Sequence, residues 1–242
     1  DDDDDDDDTA VRAPRARFAH SGVVDKRGRL VVFGGRDRAT HLDDCWALDL
    51  ETCAWERLAT SGPGPSPRRA HAAVYDARSD EMLVVGGGEC GAAFEAHSDV
   101  RALCLSTLRW RLVTSDLGDS QRSSETARPP TTPRTSFGHV AVLLPTTSSQ
   151  PRVLLVHGGA RHVPADGTFK ALGDAVVYSV DDKARLEARE AGEPPSPRYR
   201  HTATRILNTQ AVVVGESTMG SAAPRSGAFP APTTTTTTRS AA

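Results

Sequence analysis

The stretch Leu30-Val31-Val32-Phe33-Gly34-Gly35 constrains this chain more than any other. Four consecutive apolar residues, two of them β-branched, mark a strand covered on both faces. The glycine pair that stops it permits backbone angles and close approaches that a Cβ forbids. Near copies return at Leu83-Val84-Val85-Gly86-Gly87, at Leu154-Leu155-Val156-His157-Gly158-Gly159 and, degraded, at Val212-Val213-Val214-Gly215-Glu216. Each is preceded by Pro-Arg and then His, and three are followed by an Asp-led strand. From Gly34 to Gly86, Gly158 and Gly215 the steps are 52, 72 and 57 residues. A unit of this kind cannot bury its apolar strand alone, so the pattern implies an all-β array of stacked units.

On these residues the chain resembles the kelch family from Pro14 to about Gly215, with a step near the roughly 50-residue period of a kelch blade. The first unit carries Pro14, Arg15, His20, Gly34-Gly35, Asp44 before Trp46 and Leu48, and Trp55 with Leu58. The second carries Pro67, Arg68, His71, Gly86-Gly87, Asp99 before Val100 and Leu103, and Trp110. The third has Pro133, Arg134, His139, Gly158-Gly159 and Asp174, but Arg185 where the resemblance asks for Trp. The fourth keeps Pro197, Arg198, His201 and Gly215, then places Glu216 at the second glycine. The resemblance implies an incomplete kelch-type β-propeller of four-stranded antiparallel blades, at about 12–59, 65–113, 131–190 and, in part, 195–216.

The ends read differently. Residues 1–11 are an acidic tract whose charges repel one another, and 217–242 are rich in Ser, Ala, Pro and Thr; both are expected to be disordered. Asp1 to Asp8 outweigh the whole formal charge of −3, leaving 29 basic residues against 24 of the 32 acids. No strongly basic surface follows, and nucleic acid is not the expected partner. No apolar run approaches the roughly 18 residues that span a bilayer, so no membrane span is expected. Cys45, Cys53, Cys90 and Cys104 show no metal spacing and read as thiols of a reducing, cytoplasmic protein. The first residue is Asp, so the chain reads as a portion of a longer protein. With three blades and the start of a fourth, unclosed blade edges are expected to promote self-association.

A side chain repeated once per blade serves the blade before it serves a ligand. His20, His71, His139 and His201 are therefore read as structural, as are the glycines, Trp55 and Trp110, while Asp44, Asp99 and Asp174 are read as turn caps. Residues 114–132 read as an inserted loop, and residues 181–190 as a weak outer strand or short helix. In a four-stranded meander, the loop entering the first strand and the loop joining the second to the third share one rim. That rim carries Arg36, Arg38, His41, Arg68, Glu89, Phe94, Glu95, Arg134, Arg161 and His162, the candidate binding residues. Its loops, Arg36 to His41, Gly88 to His97 and Ala160 to Ala171, differ while the strands repeat, as variable binding loops on a scaffold do.

Enzymatic patterns fare poorly on the same rim. Galactose oxidase, a kelch propeller, implies a copper held by Tyr and His, but Tyr75 and Tyr178 lie within repeat strands. Iron binding in the manner of nitrile specifiers would use Glu95 and Asp99, yet Leu103 stands where His is required. No catalytic residue, metal or cofactor is expected. The expected function is a protein-interaction scaffold. The alternative is an accessory kelch region of a larger enzyme or ubiquitin-ligase adaptor, such as a phosphatase or methyltransferase, whose catalytic part lies elsewhere.

Overall fold

The computed structural model describes residues 13–90, 94–117, 136–144, 151–163, 167–186, 195–207, 210–215 and 235–238. Blade one is the antiparallel meander β1 (Ser21–Val24), β2 (Arg29–Arg36), β3 (His41–Asp49) and β4 (Trp55–Leu58). Blade two repeats it with β5 (Ala72–Asp76), β6 (Glu81–Cys90), β7 (Phe94–Cys104) and β8 (Arg109–Thr114). Blade three uses β9 (Val140–Leu144), β10 (Val153–His157), β13 (Ala175–Ser179) and β14 (Ala184–Leu186), with a hairpin of β11 (Ala160–Val163) and β12 (Thr168–Ala171) inserted between β10 and β13. Blade four holds β15 (Thr202–Leu207), β16 (Gln210–Val214) and β17 (Thr235–Thr238). The chain is all-β, and the blades stand in a row through their inner strands, β1 on β5, β5 on β9 and β9 on β15.

Alternation along each second strand builds two cores. On β6, Met82 and Val84 face blade one, where Val31, Phe33, Cys45, Ala47 and Leu58 meet Leu103 and Trp110. The intervening Leu83 and Val85 face blade three and pack with Leu154, Val156, Val176 and Tyr178. A strand buried on both faces must be apolar throughout, which is why the LVV run was legible. Burying a Leu or Val from water is worth about 2 kcal/mol, so each blade is held mainly by its neighbours.

Several expectations need correction. The 160–171 loop is the β11–β12 hairpin, and the 88–97 loop is largely the paired ends of β6 and β7, with Gly88 opposite Ala96 and Glu89 opposite Glu95. Of the two readings of the third blade's outer edge, the weak strand holds, as the three-residue β14. Residues 114–117 do not form an open loop: Leu117 is buried in the blade two–three core and its N–H donates to the Ser98 carbonyl. Residues 118–132 lie outside the described residues. Thr235–Thr238, placed in a disordered tail, pairs with β16 from Val213 opposite Thr235 to Gln210 opposite Thr238. A run of threonines has the β-branching that suits a strand once an open edge is offered to it.

Candidate binding rim

The glycine pair shows why the repeat takes its form. A Cβ on Gly34 would come within 3.2 Å of His71 Cε1, and one on Gly86 within 2.9 Å of His139 Cε1; Gly158 meets His201 in the same way. The first glycine of each blade is thus the seat of the next blade's histidine ring. The second glycine lies against its own blade's histidine: a Cβ would fall 2.8 Å from His20 Cβ at Gly35, 2.7 Å from His71 Cβ at Gly87 and 2.9 Å from His139 Cβ at Gly159. All six have positive φ, so glycine is required twice over.

Each seated imidazole bonds to the backbone before that glycine. His139 Nε2 reaches the Val85 carbonyl at 3.0 Å while Ser136 Oγ meets its Nδ1 at 3.2 Å, and His71 and His201 bond the carbonyls of Phe33 and His157. His71 Nε2 also lies 2.7 Å from Ser21 Oγ. Burial, followed by the Arg68 charge, depresses His71 to about 3; burial, then His157 and Arg198, depress His201 to about 4. His71 and His201 are neutral mortar between blades, and Trp110 packs with His71 around Phe33, edge-on to it at 5.3 Å and over Gly64.

The repeat's arginine sits three residues before the histidine. Arg68 donates to the Gly86 carbonyl at 3.0 Å and to Asp99 at 2.6 Å, and only 2% of its side chain is exposed. Arg17, not Arg15, does the same in blade one, reaching the Gly34 carbonyl at 3.1 Å and both oxygens of Asp44. Arg198 donates to the Gly215 carbonyl at 2.9 Å. In blade three Ser136 takes the place, and Arg134 lies outside the described residues. Counting from the proline gives the wrong arginine in blade one; counting back from His20, His71, His139 and His201 gives the correct register. Two corrections follow. Arg68 is a buried tie and not a rim contact, and Asp44 and Asp99 are arginine partners and not turn caps. Asp44 also accepts from Trp46 Nε1 at 2.7 Å, and Asp99 from Arg101 Nε at 2.8 Å. Although burial opposes ionisation, these hydrogen bonds and charges hold both carboxyls below the usual range.

With those residues turned inward, the rim is what remains. Arg36 and His41 face each other across the β2–β3 register, and Arg36 Nε is enclosed without a hydrogen-bond partner among the described residues. Burial and the charges of Arg36 and Arg69 lower the proton affinity of His41, while Glu89 acts in the opposite sense. Arg38 is exposed beside Asp37, which accepts from the N–H groups of Thr40 at 2.6 Å and Ala39 at 2.8 Å and from Arg15 at 2.9 Å, so its carboxyl stays far below the usual range. Glu89 lies 3.4 Å from His97, whose Nε2 also meets Ser66 Oγ at 3.3 Å. Phe94 and Glu95 occupy β7 opposite Cys90 and Glu89.

The third station was only half read from sequence. Arg161 stands opposite Lys170 across the β11–β12 hairpin, and His162 opposite Phe169. Phe169 packs edge-on against Phe137 at 5.3 Å and lies tilted against the His162 ring at 5.3 Å. Directly opposed like charges cost a hairpin stability. Lys170 escaped the sequence reading because nothing local shows that it pairs with a residue nine positions earlier.

A shallow groove of about 300 Å³ lies beside this rim between Ala96, His97, Ser98, Asp99, Arg101, Leu112 and Ser115, with Asp99 and Arg101 paired to each other inside it. Among the described residues no group of three or more His, Cys, Asp or Glu could hold a metal. Tyr75 donates to Asp80 at 2.8 Å, and Tyr178 is buried in the core. Burial pushes the Cys45 thiol upward, whereas hydrogen bonds from Ser106 and Thr107 lower Cys104 to about 7, a departure from the ordinary thiol expected.

The Attractin/LZTR1 beta-propeller pattern matches residues 6–228, nearly the whole chain. The chain belongs to that family. This Attractin/LZTR1-type propeller is 36% identical over 113 residues to Acyl-CoA-binding domain-containing protein 4 of Arabidopsis thaliana, covering 47% of the chain and 16% of that protein. It is 31% identical over 149 residues to Host cell factor 2 of Homo sapiens, covering 55% and 18%, and 34% identical over 117 residues to Host cell factor homolog hcf-1 of Caenorhabditis elegans, covering 43% and 15%. The propeller therefore spans less than a fifth of the curated relatives it matches. The kelch-repeat reading of the sequence holds. No helix of the described residues is long and apolar enough to cross a membrane.

Proposed function

We propose that the chain is a protein-interaction scaffold that seats an acidic partner segment on the rim of blades one to three. The observation that carries this reading is the opposed Arg161–Lys170 pair on a hairpin that the blade repeat does not require. A second basic station, Arg36 and Arg69 around His41, stands on the blade one–two side, with Glu89 next to it. Guanidinium groups recognise carboxylates through directional, charge-assisted hydrogen bonds, and arginines at interface hot spots cost about 2 kcal/mol or more when truncated. The test is binding of an array of acidic and charge-reversed peptides to the full chain. Arg161→Ala with Lys170→Ala should lower acidic-peptide affinity at least about tenfold without lowering the melting temperature; an unchanged binding profile refutes the rim assignment.

A second reading, an accessory region of a larger enzyme or adaptor, is favoured by the small share of each relative that the chain covers. It is tested by the complete reading frame: a catalytic or adaptor domain alongside the blades supports it.

A further inference from the structure

We infer that the cluster of Arg36, His41 and Arg69 on the blade one–two rim is a seat for a phosphate monoester, carried by a phosphorylated side chain of the acidic partner segment. This rests on the rim reading above and narrows its ligand.

The repeat fixes the three positions but not the residues that fill them. Strand register pairs Arg36 with His41 in blade one, Gly88 with Ala96 in blade two and Ala160 with Ala171 in blade three. Where blades two and three use glycine and alanine, blade one places two nitrogen-bearing side chains. The bridge beside this pair joins Phe18 to Arg36, Arg69 to Gly88 and Phe137 to Ala160, so Arg69 stands where blades one and three hold phenylalanine. A side chain that the blades need recurs from blade to blade, whereas a site residue is singular. All three departures introduce a side chain that can donate hydrogen bonds.

The backbone brings them to one place. Gly35 N–H donates to the Arg68 carbonyl at 2.9 Å, which sets the Arg69 peptide against Arg36 across the blade junction. Arg69 N–H donates in turn to the Gly88 carbonyl at 3.0 Å, so its position is held from both blades. All three side chains are half-buried. Burial, followed by the charges of Arg36 and Arg69, lowers the proton affinity of His41, so both guanidinium groups act on the same ring.

This arrangement is unfavourable without a ligand. Two guanidinium charges repel each other, more strongly on a half-buried surface than in open water. Arg36 Nε is enclosed with no hydrogen-bond partner among the described residues, and an enclosed N–H left unpaired has lost its bond to water. The nearby carboxylates are engaged elsewhere. Glu89 lies 3.4 Å from His97 Nε2, and Asp37 accepts from Arg15 and from the N–H groups of Ala39 and Thr40. A phosphate monoester brings close to two negative charges at neutral pH and three acceptor oxygens, one for each side chain. A carboxylate brings one charge and two oxygens. Guanidinium forks match phosphate geometry, and their charge-assisted bonds are directional. Arg161 and Lys170 remain the station for the carboxylates of the same segment.

Peptide arrays probed with the full chain test this. They carry degenerate peptides with acidic flanks and a fixed central phosphoserine, phosphothreonine or phosphotyrosine, each beside matched glutamate and unphosphorylated sets. One phosphorylated set should bind at least about tenfold tighter than its glutamate match. Arg69→Phe installs the residue of blades one and three, and Arg36→Ala that of blade three. Each should erase the phosphate preference, with circular dichroism verifying that the strands persist. Arg161→Ala with Lys170→Ala should instead weaken phosphorylated and glutamate sets together and leave their ratio. Equal binding of phosphorylated and glutamate sets overturns this inference and leaves the acidic-segment reading standing, whereas failure of every acidic peptide overturns both. A preference that survives Arg69→Phe and Arg36→Ala overturns the placement at this cluster. Binding to phosphoinositide vesicles in place of any phosphopeptide identifies a lipid headgroup and overturns the assignment to a protein partner.

Discussion

Blades two and three are built on one plan and tied in two ways. In blade two a buried guanidinium joins Arg68 to Asp99 and to the glycine carbonyl. In blade three Ser136 replaces the arginine, and Asp174, the counterpart of Asp99, is exposed. Both blades nevertheless keep the seated histidine, the glycine pair and the backbone bonds between inner strands: Gly35 N–H donates to the Arg68 carbonyl at 2.9 Å and Gly87 N–H to the Ser136 carbonyl at 3.2 Å. The comparison teaches that backbone and glycine define the junction, and that the ion pair is an addition the junction can do without only where no lone charge is left buried.

The largest effect should come from the shared part. Gly87→Val places a Cβ 2.7 Å from His71 Cβ at a φ of 96°, and stability should fall by at least about 3 kcal/mol in denaturant melts. Tolerance of Val there would show that the inner ring is slack. Next comes the unshared part. Asp99→Ala strands a buried guanidinium and should cost about 3–5 kcal/mol, whereas Asp174→Ala at an exposed position should stay within about 0.5 kcal/mol. Equal losses in the two chemical-denaturation curves would mean that blade three has a tie equivalent to blade two's.

The seated histidines add a pH trend. His71 and His201 are neutral in the fold because burial has lowered them to about 3 and about 4, so the unfolded chain binds more protons below the ordinary value near 6.5. Their contribution is complete above pH 6.5 and is lost as pH falls toward 4 and then 3. Melting temperature should therefore decline across that window, and His201→Phe should flatten the upper part of the decline; an identical slope in the variant would remove His201 as its source.

The sequence by itself determined the all-β class, the blade order and most strand positions, because continuous apolar runs and paired glycines are local facts that follow from the geometry of a strand buried on both faces. It also marked the repeating histidines and set them apart from the rim loops. Only the tertiary structure decided which arginine is the repeat's, for Arg15 directly follows Pro14 and Arg17 stands two residues on, and only Arg17 reaches Asp44 and the Gly34 carbonyl. It also set Lys170 opposite Arg161, buried Leu117, placed Thr235–Thr238 beside β16, and left His20 open while its three counterparts closed. Each of these is a contact between residues far apart or between neighbouring blades, and a pairing across space leaves no period along the chain.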